Sequence, residues 1–134
     1  HSLVFLSPLG LRLAREPYLL GKVTSMTGTA ARSTGTSGTM HLWNADTCQA
    51  LADMLRNNVT ETYGQSRFGD LPVCAKSGTA EVGQGKAPHS WFAGFVDSDD
   101  LPLAFVALVE NGGGGSAVAG SAAAQVLRTA AELL

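Results

Sequence analysis

AKSGTAEVGQGKAPHSWFAGF, residues 75–95, is the stretch that decides the fold of this chain. It opens with a small apolar run that leads into a lysine, a serine, a glycine and a threonine at 76–79. A polar loop with glycines and a proline follows, and the stretch ends in a second run rich in aromatic residues. Apolar and aromatic runs bounded by Gly and Pro are typical of β-strands. We therefore predict strands over 72–81 and 90–97, with the Lys-Ser-Gly-Thr sequence near the end of the first.

The residues after this stretch predict a third strand and a closing helix. Residues 101–110 are dense in Val, Leu and Phe, which is typical of a strand buried on both faces. Only the turn-forming residues 98–100 precede it, so it should pair with the strand before it as an antiparallel hairpin. NGGGGS at 111–116 has the composition of a flexible linker, and the Ala-rich tail predicts a helix over 116–133 that packs across the sheet. The side expected to pack is formed by Val118, Ala122, Val126, Ala130 and Leu133.

Before the sheet, the apolar period changes from that of a strand to that of a helix. Residues 44–60 carry one apolar face at helical spacing, formed by Cys48, Leu51, Leu55 and Val59. Either Asn44 or Asp46 can cap the start, because both side chains accept hydrogen bonds from the unpaired amides of a first turn. The glycines and the proline of 62–72 end the predicted helix.

The N-terminal third predicts an irregular lead-in and a β-hairpin. Residues 17–26 are typical of a strand, 27–39 of a flexible hairpin or loop built from Thr, Ser, Gly and Ala, and 39–43 of the return strand. We expect the whole chain to be the C-terminal portion of a single domain. Its lead-in and hairpin cover 1–43, and a helix, three strands and a terminal helix cover 44–134.

Composition excludes several classes of protein. The 134 residues suffice for one domain with a core, and 45% hydrophobic against 15% charged residues is ordinary for a globular chain. The net charge of −2 gives no basic surface for nucleic acid. No apolar run is long enough to cross a membrane, and the first residues lack the pattern of a signal peptide. Cys48 and Cys74 have no metal-binding or redox spacing and are predicted to be buried thiols.

The Lys-Ser-Gly-Thr sequence is informative because of the order of the features around it. After it come a loop, the Trp-Phe-Ala-Gly-Phe run of 91–95, an apolar hairpin, Glu-Asn with glycines, and a terminal helix. This order resembles the C-terminal part of the transpeptidase domain of penicillin-binding proteins, of the class B type. K-[ST]-G is a signature of that family together with S-x-x-K and S-x-N. The resemblance covers 44–134 and, more weakly, 7–43. It implies an α+β fold, an antiparallel sheet with packed helices that is part of a penicillin-binding or serine β-lactamase-like transpeptidase fold.

The resemblance implies a role for each residue of 76–79. The amide of Thr79 would form one half of the oxyanion hole, where a fixed backbone N–H stabilises negative charge on a carbonyl oxygen. The hydroxyls of Ser77 and Thr79 would hold the carboxylate of the substrate or of penicillin. Gly78 lets a ligand backbone come close because it has no Cβ. Lys76 would add positive potential and join the proton relay near the nucleophile.

Other conspicuous residues are expected to have structural roles. Trp91 and Phe92 should be core residues that support the neighbouring strand, not ligand contacts. His89 is predicted to be a loop histidine because no Asp or Cys partner accompanies it. Glu81 and Glu110 lack the spacing of a catalytic carboxylate pair, so solvated positions are expected. The sequence contains no metal-ligand cluster, and we predict neither a metal nor another cofactor.

The sequence lacks a nucleophile for acyl transfer. No serine lies three residues before Lys22, Lys76 or Lys86, so S-x-x-K does not occur. S-x-N is absent as well, because no asparagine has a serine two residues before it. A serine acyl-enzyme needs an activated hydroxyl held against a base. We therefore expect the serine on a companion polypeptide or on the N-terminal half of the same domain, and predict that this chain alone is inactive.

The function implied by the resemblance is that of a serine D,D-transpeptidase. It would cross-link peptidoglycan stem peptides, bind β-lactams, and act at the extracytoplasmic face of the bacterial membrane. A serine β-lactamase and a β-lactam-sensing receptor domain are the alternatives; nitrocefin hydrolysis would favour the first, and a transmembrane signalling region upstream would favour the second. A catalytically dead structural module is a further alternative, against which the presence of both Lys76 and Gly78 argues.

Overall fold

The structure is a computed structural model that describes residues 43–133 and, before them, four short strands. The chain divides into two compact units, His1–Cys48 and Gln49–Leu134. The strands of the first unit are β1 (Leu13–Ala14), β2 (Lys22–Thr24), β3 (Ala30–Ser33) and β4 (Met40–His41). β1 pairs with β4 and β2 pairs with β3, both antiparallel, so one pair is nested inside the other along the chain.

This nesting corrects the predicted hairpin. The return strand, β4, pairs with β1 and not with β2, and β3 forms within residues predicted to be a flexible hairpin or loop. Only five residues separate β2 from β3 along the chain, so pairing these two strands closes a shorter loop, at a lower entropic cost, than the predicted pairing would. The remaining residues of the predicted lead-in and first strand lie outside the described residues.

The predicted helix forms and runs further than expected. α1 spans Ala45–Asn57 and continues as a π-helical segment, Asn58–Gly64, and a 3₁₀ turn, Gln65–Phe68. Asn44 provides the cap, since its Oδ1 accepts a hydrogen bond of 2.8 Å from the amide three residues on. Gly64, with a φ of +90°, lies at the junction of the two last segments instead of ending the helical path. The helical path ends at Phe68, before Gly69 with a φ of +62°, so it ends within 62–72 as predicted but later than the predicted bound at residue 60.

Three antiparallel strands form the sheet of the second unit, in the order β5–β6–β7. β5 spans Val73–Ala80, β6 spans His89–Val96 and β7 spans Ala104–Val109, which confirms the three predicted strands. The predicted three-residue link between β6 and β7 is too short. The connection covers 97–103 because Pro102 has no N–H for a ladder and Leu101 is buried outside the strand.

The two faces of this sheet differ in how they are covered. On the closed face, Phe92 lies at the centre of the core and its ring contacts those of Tyr63, Phe68 and Phe105. On the opposite side, the exposed side chains of Trp91, Val106 and Leu108 form what we call the open face. Side chains alternate along a strand, so neighbours in sequence point to opposite faces. Phe92 is a core residue as predicted, whereas Trp91 is not, and β7 is not buried on both faces.

α2 spans Ala119–Glu132 and packs on the closed face with a different side from the one predicted. It buries Ala119, Gly120, Ala123, Ala124 and Leu127. In the predicted stripe, Val118, Val126 and Leu133 are exposed. A Cβ at Gly120 would lie 3.3 Å from the ring of Phe92, so the helix approaches the sheet closely. Apolar contrast around an Ala-rich helix is weak, and close packing of its smallest residues decides which side faces the core.

Residues 111–116 form a packed turn and not a flexible linker. Gly113 has a φ of +82°, which favours glycine, and its amide donates to the carbonyl of Pro88 at 2.9 Å. A Cβ on Gly115 would lie 2.4 Å from the carbonyl oxygen of Gly78. The turn therefore crosses directly over the backbone of β5, and its composition reflects the close approach.

The buried hydroxyl of Ser90 holds this turn to the start of α2. Its Oγ donates to the carbonyl of Gly114 at 3.0 Å and accepts from the amide of Ala119 at 3.0 Å. Arg67 reaches the same turn and donates to the carbonyl of Ser116 at 2.6 Å. These bonds fix the closed face behind the Lys-Ser-Gly-Thr residues of β5.

Candidate functional site: the free edge of β5

One edge of β5 is lined by side chains of the helical segment that precedes it. The guanidinium of Arg56 donates to the carbonyl of Val73 at 3.2 Å, and the side-chain amide of Asn58 donates to the carbonyl of Ala75 at 3.2 Å. Both acceptors belong to odd-numbered residues of β5. Along an antiparallel pair, the N–H and C=O groups of alternate residues point away from the partner strand. The helical segment therefore occupies hydrogen-bonding positions that a further strand would use.

Tyr63 continues this row of side chains at Ser77. The amide of Ser77 donates to the phenolic oxygen at 3.1 Å, and the Ser77 Oγ lies 3.1 Å from the same oxygen. The ring of Tyr63 is buried and meets the ring of Phe92 edge-on, with centroids 5.3 Å apart. The core thus holds the ring in place while the hydroxyl reaches the edge of β5.

The edge changes character beyond Ser77. Lys76 is exposed, and its Nζ donates to the carbonyl of Ser77 at 2.7 Å. Thr79 is the next odd-numbered residue, so its amide also points away from β6. Within residues 43–133, no group forms a hydrogen bond with this amide. An N–H without a partner, beside an ammonium group and two hydroxyls, suits the binding of an anion.

Gly78 has a packing role in addition to the one that the resemblance implies. A Cβ at this position would lie 3.2 Å from the Cβ of Trp91, its partner across the sheet. From the closed face, Gly115 lies against the carbonyl of Gly78. The strand is therefore compressed between Trp91 and the glycine turn at the point where the candidate site begins.

The phenol of Tyr63 is electrostatically coupled to Lys76 and Ser77. Burial would raise its pKa, but the ionised oxygen is favoured by the Ser77 amide, by the Ser77 hydroxyl, which can turn and donate to it once the phenol has lost its proton, and by the positive charge of Lys76. Together these groups hold the pKa of Tyr63 below its usual value of 10.0. A group with such a shift beside the candidate edge is a candidate for a functional role.

Residues 76–79 lie together on β5, and neither His89 nor the two glutamates singled out in the sequence forms a side-chain hydrogen bond with them within residues 43–133. His89 is the first residue of β6 and not a loop residue, as its Nδ1 accepts a hydrogen bond from the amide of Asn111 at 3.0 Å. That bond ties the histidine to the turn after β7. Glu81 and Glu110 are exposed and have no hydrogen-bond partner within residues 43–133.

Tyr63 escapes the sequence-based prediction although the sequence contains a signal for it. Tyr63 follows Val59 by four residues, so it continues the predicted apolar face one turn beyond the predicted helix end. Extending that face would have placed a buried hydroxyl before the strand. Arg56 and Asn58 give no comparable signal, because polar residues on a helix are most often solvated.

A family model matches almost the whole of the chain. The model of the penicillin-binding protein transpeptidase domain covers residues 14–132, which include α1, all three strands of the second unit and α2. The chain belongs to this family. Its members are serine enzymes that transfer acyl groups, so the resemblance seen in the sequence is confirmed.

Solved transpeptidase domains share the fold of this chain. Penicillin-binding protein A from M. tuberculosis, in a ceftriaxone acyl-enzyme complex, matches 88% of the chain with a TM-score of 0.71 and 23% identity. The D,D-transpeptidase domain of a peptidoglycan glycosyltransferase from Eggerthella lenta matches 90% of it with a TM-score of 0.70 and 26% identity. The chain spans 28% of the length of each of these proteins. The predicted partial transpeptidase fold is thus confirmed.

No curated protein matches this transpeptidase-domain chain. The helices within residues 43–133 are not long and apolar enough to cross a membrane.

Proposed function

We propose that this chain forms one wall of the active site of a D,D-transpeptidase that cross-links peptidoglycan stem peptides and is acylated by β-lactams. The wall is the edge of β5 at residues 76–79. The nucleophilic serine and its base come from a companion, either a separate polypeptide or the N-terminal half of the same domain. As is typical of penicillin-binding proteins, the assembled site acts at the extracytoplasmic face of the bacterial membrane.

The amide of Thr79 is the observation that carries this proposal. An oxyanion hole needs a donor that is fixed before the reaction and free to bind the developing charge. The ladder with β6 fixes the backbone at Thr79, and no group within residues 43–133 uses its N–H. When the serine Oγ attacks a carbonyl carbon of the ligand, this amide stabilises the oxygen that becomes negative.

The other residues of the wall hold the ligand and assist the proton transfer. The hydroxyls of Ser77 and Thr79 bind the ligand carboxylate, and Lys76 adds positive potential beside them. The acyl group becomes an ester of the companion's serine, and the serine proton leaves on the amine of the departing C-terminal residue. An amino group of a second stem peptide then displaces the serine, which recovers a proton from that amine.

The proposal is tested by covalent labelling with a fluorescent penicillin. The chain alone should form no adduct, and label should appear on the companion when the two are combined. In the assembled site, Lys76→Ala should slow acylation by about 10²-fold or more, because Lys76 lies in the proton relay. Lys86→Ala is the matched control, since Lys86 is an exposed lysine of the 82–88 loop. Neither substitution should lower the melting temperature, because both side chains are exposed.

Three outcomes would contradict the proposal in different ways. A stoichiometric adduct on the isolated chain would show that it carries its own nucleophile. Equal acylation of wild type and Lys76→Ala would remove Lys76 from the reaction. Rapid hydrolysis of nitrocefin by the assembled protein would identify a β-lactamase instead of a transpeptidase.

A further inference from the structure

We propose that Tyr63 is a positioning residue, whose hydroxyl directs the proton of Ser77 outward, toward the carboxylate of the bound ligand. The inference rests on the proposed function, in which Ser77 holds that carboxylate. A carboxylate only accepts hydrogen bonds, so Ser77 contributes to binding only as a donor. Its hydroxyl has one proton, and the direction of that proton decides whether the contact forms.

The contacts of Tyr63 leave one assignment of hydrogens that satisfies every group. The amide of Ser77 donates to the phenolic oxygen, because an N–H cannot accept. The phenol's own proton then needs an acceptor, and within residues 43–133 the Ser77 Oγ at 3.1 Å provides it. Tyr63 is only 8% exposed, so the alternative would leave a buried donor unpaired, which folded proteins avoid. Tyr63 therefore donates to Ser77, and the Ser77 proton points elsewhere.

The surroundings of Tyr63 favour the same assignment. The phenolic oxygen already accepts from the Ser77 amide, and the nearby positive charge of Lys76 makes the phenol a better donor to the Ser77 Oγ. Although burial raises the pKa of Tyr63, its hydrogen bonds with Ser77 and then the charge of Lys76 lower it, and a more acidic phenol is a stronger donor. Lys76 also donates to the carbonyl of Ser77 at 2.7 Å, so a positive charge that can attract the ligand carboxylate lies beside this residue. Ser77 is half-buried, and the side chain of Thr79, two residues on along the strand, lies on the same face.

The experiment compares acylation by penicillin G with acylation by its methyl ester, which lacks the carboxylate charge. It uses the chain assembled with its companion. Tyr63→Phe removes the hydroxyl and keeps the ring, so acylation by the acid should slow by about tenfold, as expected for the loss of one oriented hydrogen bond to a charged group. The loss should lie in apparent affinity and not in the limiting rate. Acylation by the ester should change by less than about twofold.

Thr60→Val is the matched control for the loss of a hydroxyl. Thr60 lies in the same π-helical segment, is exposed, and bonds only to the carbonyl of Asn57. The acid-to-ester ratio of this variant should equal that of the wild type. Equal losses for acid and ester in Tyr63→Phe would mean that the tyrosine only supports the strand, and the positioning role would be overturned.

Failure of this inference is distinguishable from failure of the proposed function. If the assembled wild-type protein is not labelled at all, the transpeptidase proposal fails and the inference falls with it. If the wild type is labelled and Tyr63→Phe keeps the acid-to-ester ratio, the inference alone fails.

A spectroscopic titration tests the contact without substituting Tyr63. The chain contains two tyrosines, so Tyr18→Phe leaves Tyr63 as the only phenol that absorbs on ionisation. In that background, Tyr63 should titrate below 10.0, and Ser77→Ala should raise its pKa, because the Ser77 hydroxyl turns to donate to the oxygen of Tyr63 once the phenol has lost its proton. Ser66→Ala, at an exposed serine of the preceding 3₁₀ turn, should leave the titration unchanged. A titration that ignores Ser77 would overturn the proposed hydrogen-bond chain.

Discussion

Trp91 and Phe92 are neighbours in the sequence and occupy opposite environments. Phe92 is fully buried on the closed face, within a cluster of aromatic rings and beneath α2. Trp91 is 37% exposed on the open face, beside Val106 and Leu108, which are 49% and 45% exposed. The difference shows that other elements of this chain cover one face of the sheet, whereas the other face presents exposed apolar side chains. Contiguous exposed apolar groups commonly mark a surface that another element covers.

The largest expected effect on stability distinguishes the closed face from the open face. Phe92→Ala should lower the free energy of unfolding by about 3–5 kcal/mol, because it opens a cavity among the rings and the small residues of α2. Trp91→Ala should cost about 1 kcal/mol or less, because its side chain is partly solvated in the isolated chain. Urea unfolding of both variants measures the contrast. If both variants lose the same free energy of unfolding, the open face is packed in solution.

The next effect concerns the turn behind the closed face. Gly115→Ala should destabilise the chain by about 1–3 kcal/mol, since its Cβ would collide with the backbone of β5 at Gly78. Gly114→Ala is the matched control, because nothing lies within 4 Å of a Cβ at that position. The two substitutions are adjacent and chemically identical. If residues 111–116 were a flexible linker, neither substitution would destabilise the chain. Thermal unfolding of both variants distinguishes a flexible linker from a packed turn.

Ser90 should contribute a smaller amount to the same closure. Ser90→Ala removes the acceptor of the Ala119 amide and the donor to Gly114, which should cost about 1–2 kcal/mol. Ser121→Ala provides the comparison, because Ser121 is exposed and its hydroxyl bonds to the carbonyl of Ala117, just before α2. Amide hydrogen exchange should show faster exchange at the start of α2 in Ser90→Ala only. Unchanged protection there would contradict the role of Ser90.

The smallest effect depends on pH. Burial and the nearby charge of Asp97 raise the pKa of the Cys74 thiol to about 11, above its ordinary value of 9.0. As the pH rises, the Cys74 thiol therefore ionises in the unfolded chain before it ionises in the folded chain. Its contribution to the free energy of unfolding is complete below pH 9 and is lost as the pH rises toward 11. Stability should fall by about 1 kcal/mol more in wild type than in Cys74→Ala between pH 8 and pH 10. If the free energy of unfolding depends on pH in the same way in both proteins, the raised pKa of Cys74 is contradicted.

The sequence predicts those features of this chain that depend on local pattern. Apolar runs and turn residues suffice for β5, β6, β7 and α1, because each burial pattern is strong over its own length. The side of α2 that packs is not predictable in this way, since alanine differs little in hydrophobicity from its neighbours and the shape of the sheet around Phe92 decides. The turn at 111–116 has the composition of a linker because close backbone contact and flexibility both favour glycine.

The residues of the candidate site likewise differ in whether the sequence predicts them. Residues 76–79 are recognisable because their chemistry is contiguous in the chain. Tyr63 is not recognisable, because its bond to Ser77 joins residues 14 apart and depends on the π-helical segment that contains Tyr63 and on the 3₁₀ turn that follows it. Local pattern therefore predicts the proposed wall, whereas the contact between Tyr63 and Ser77 is visible only in the tertiary structure.

The row of side chains along β5 has a consequence for how a peptide can dock. An extended peptide joins a sheet by pairing its backbone with the free groups of an edge strand. Side chains of Arg56, Asn58 and Tyr63 already bond to that edge at Val73, Ala75 and Ser77, so an incoming strand finds backbone clear of these side chains only from Thr79 onward. A peptide that continued from Thr79 toward Val73 would meet these side chains. The sheet edge thus favours the terminus of a peptide over its interior, because the side chains obstruct backbone pairing before Thr79.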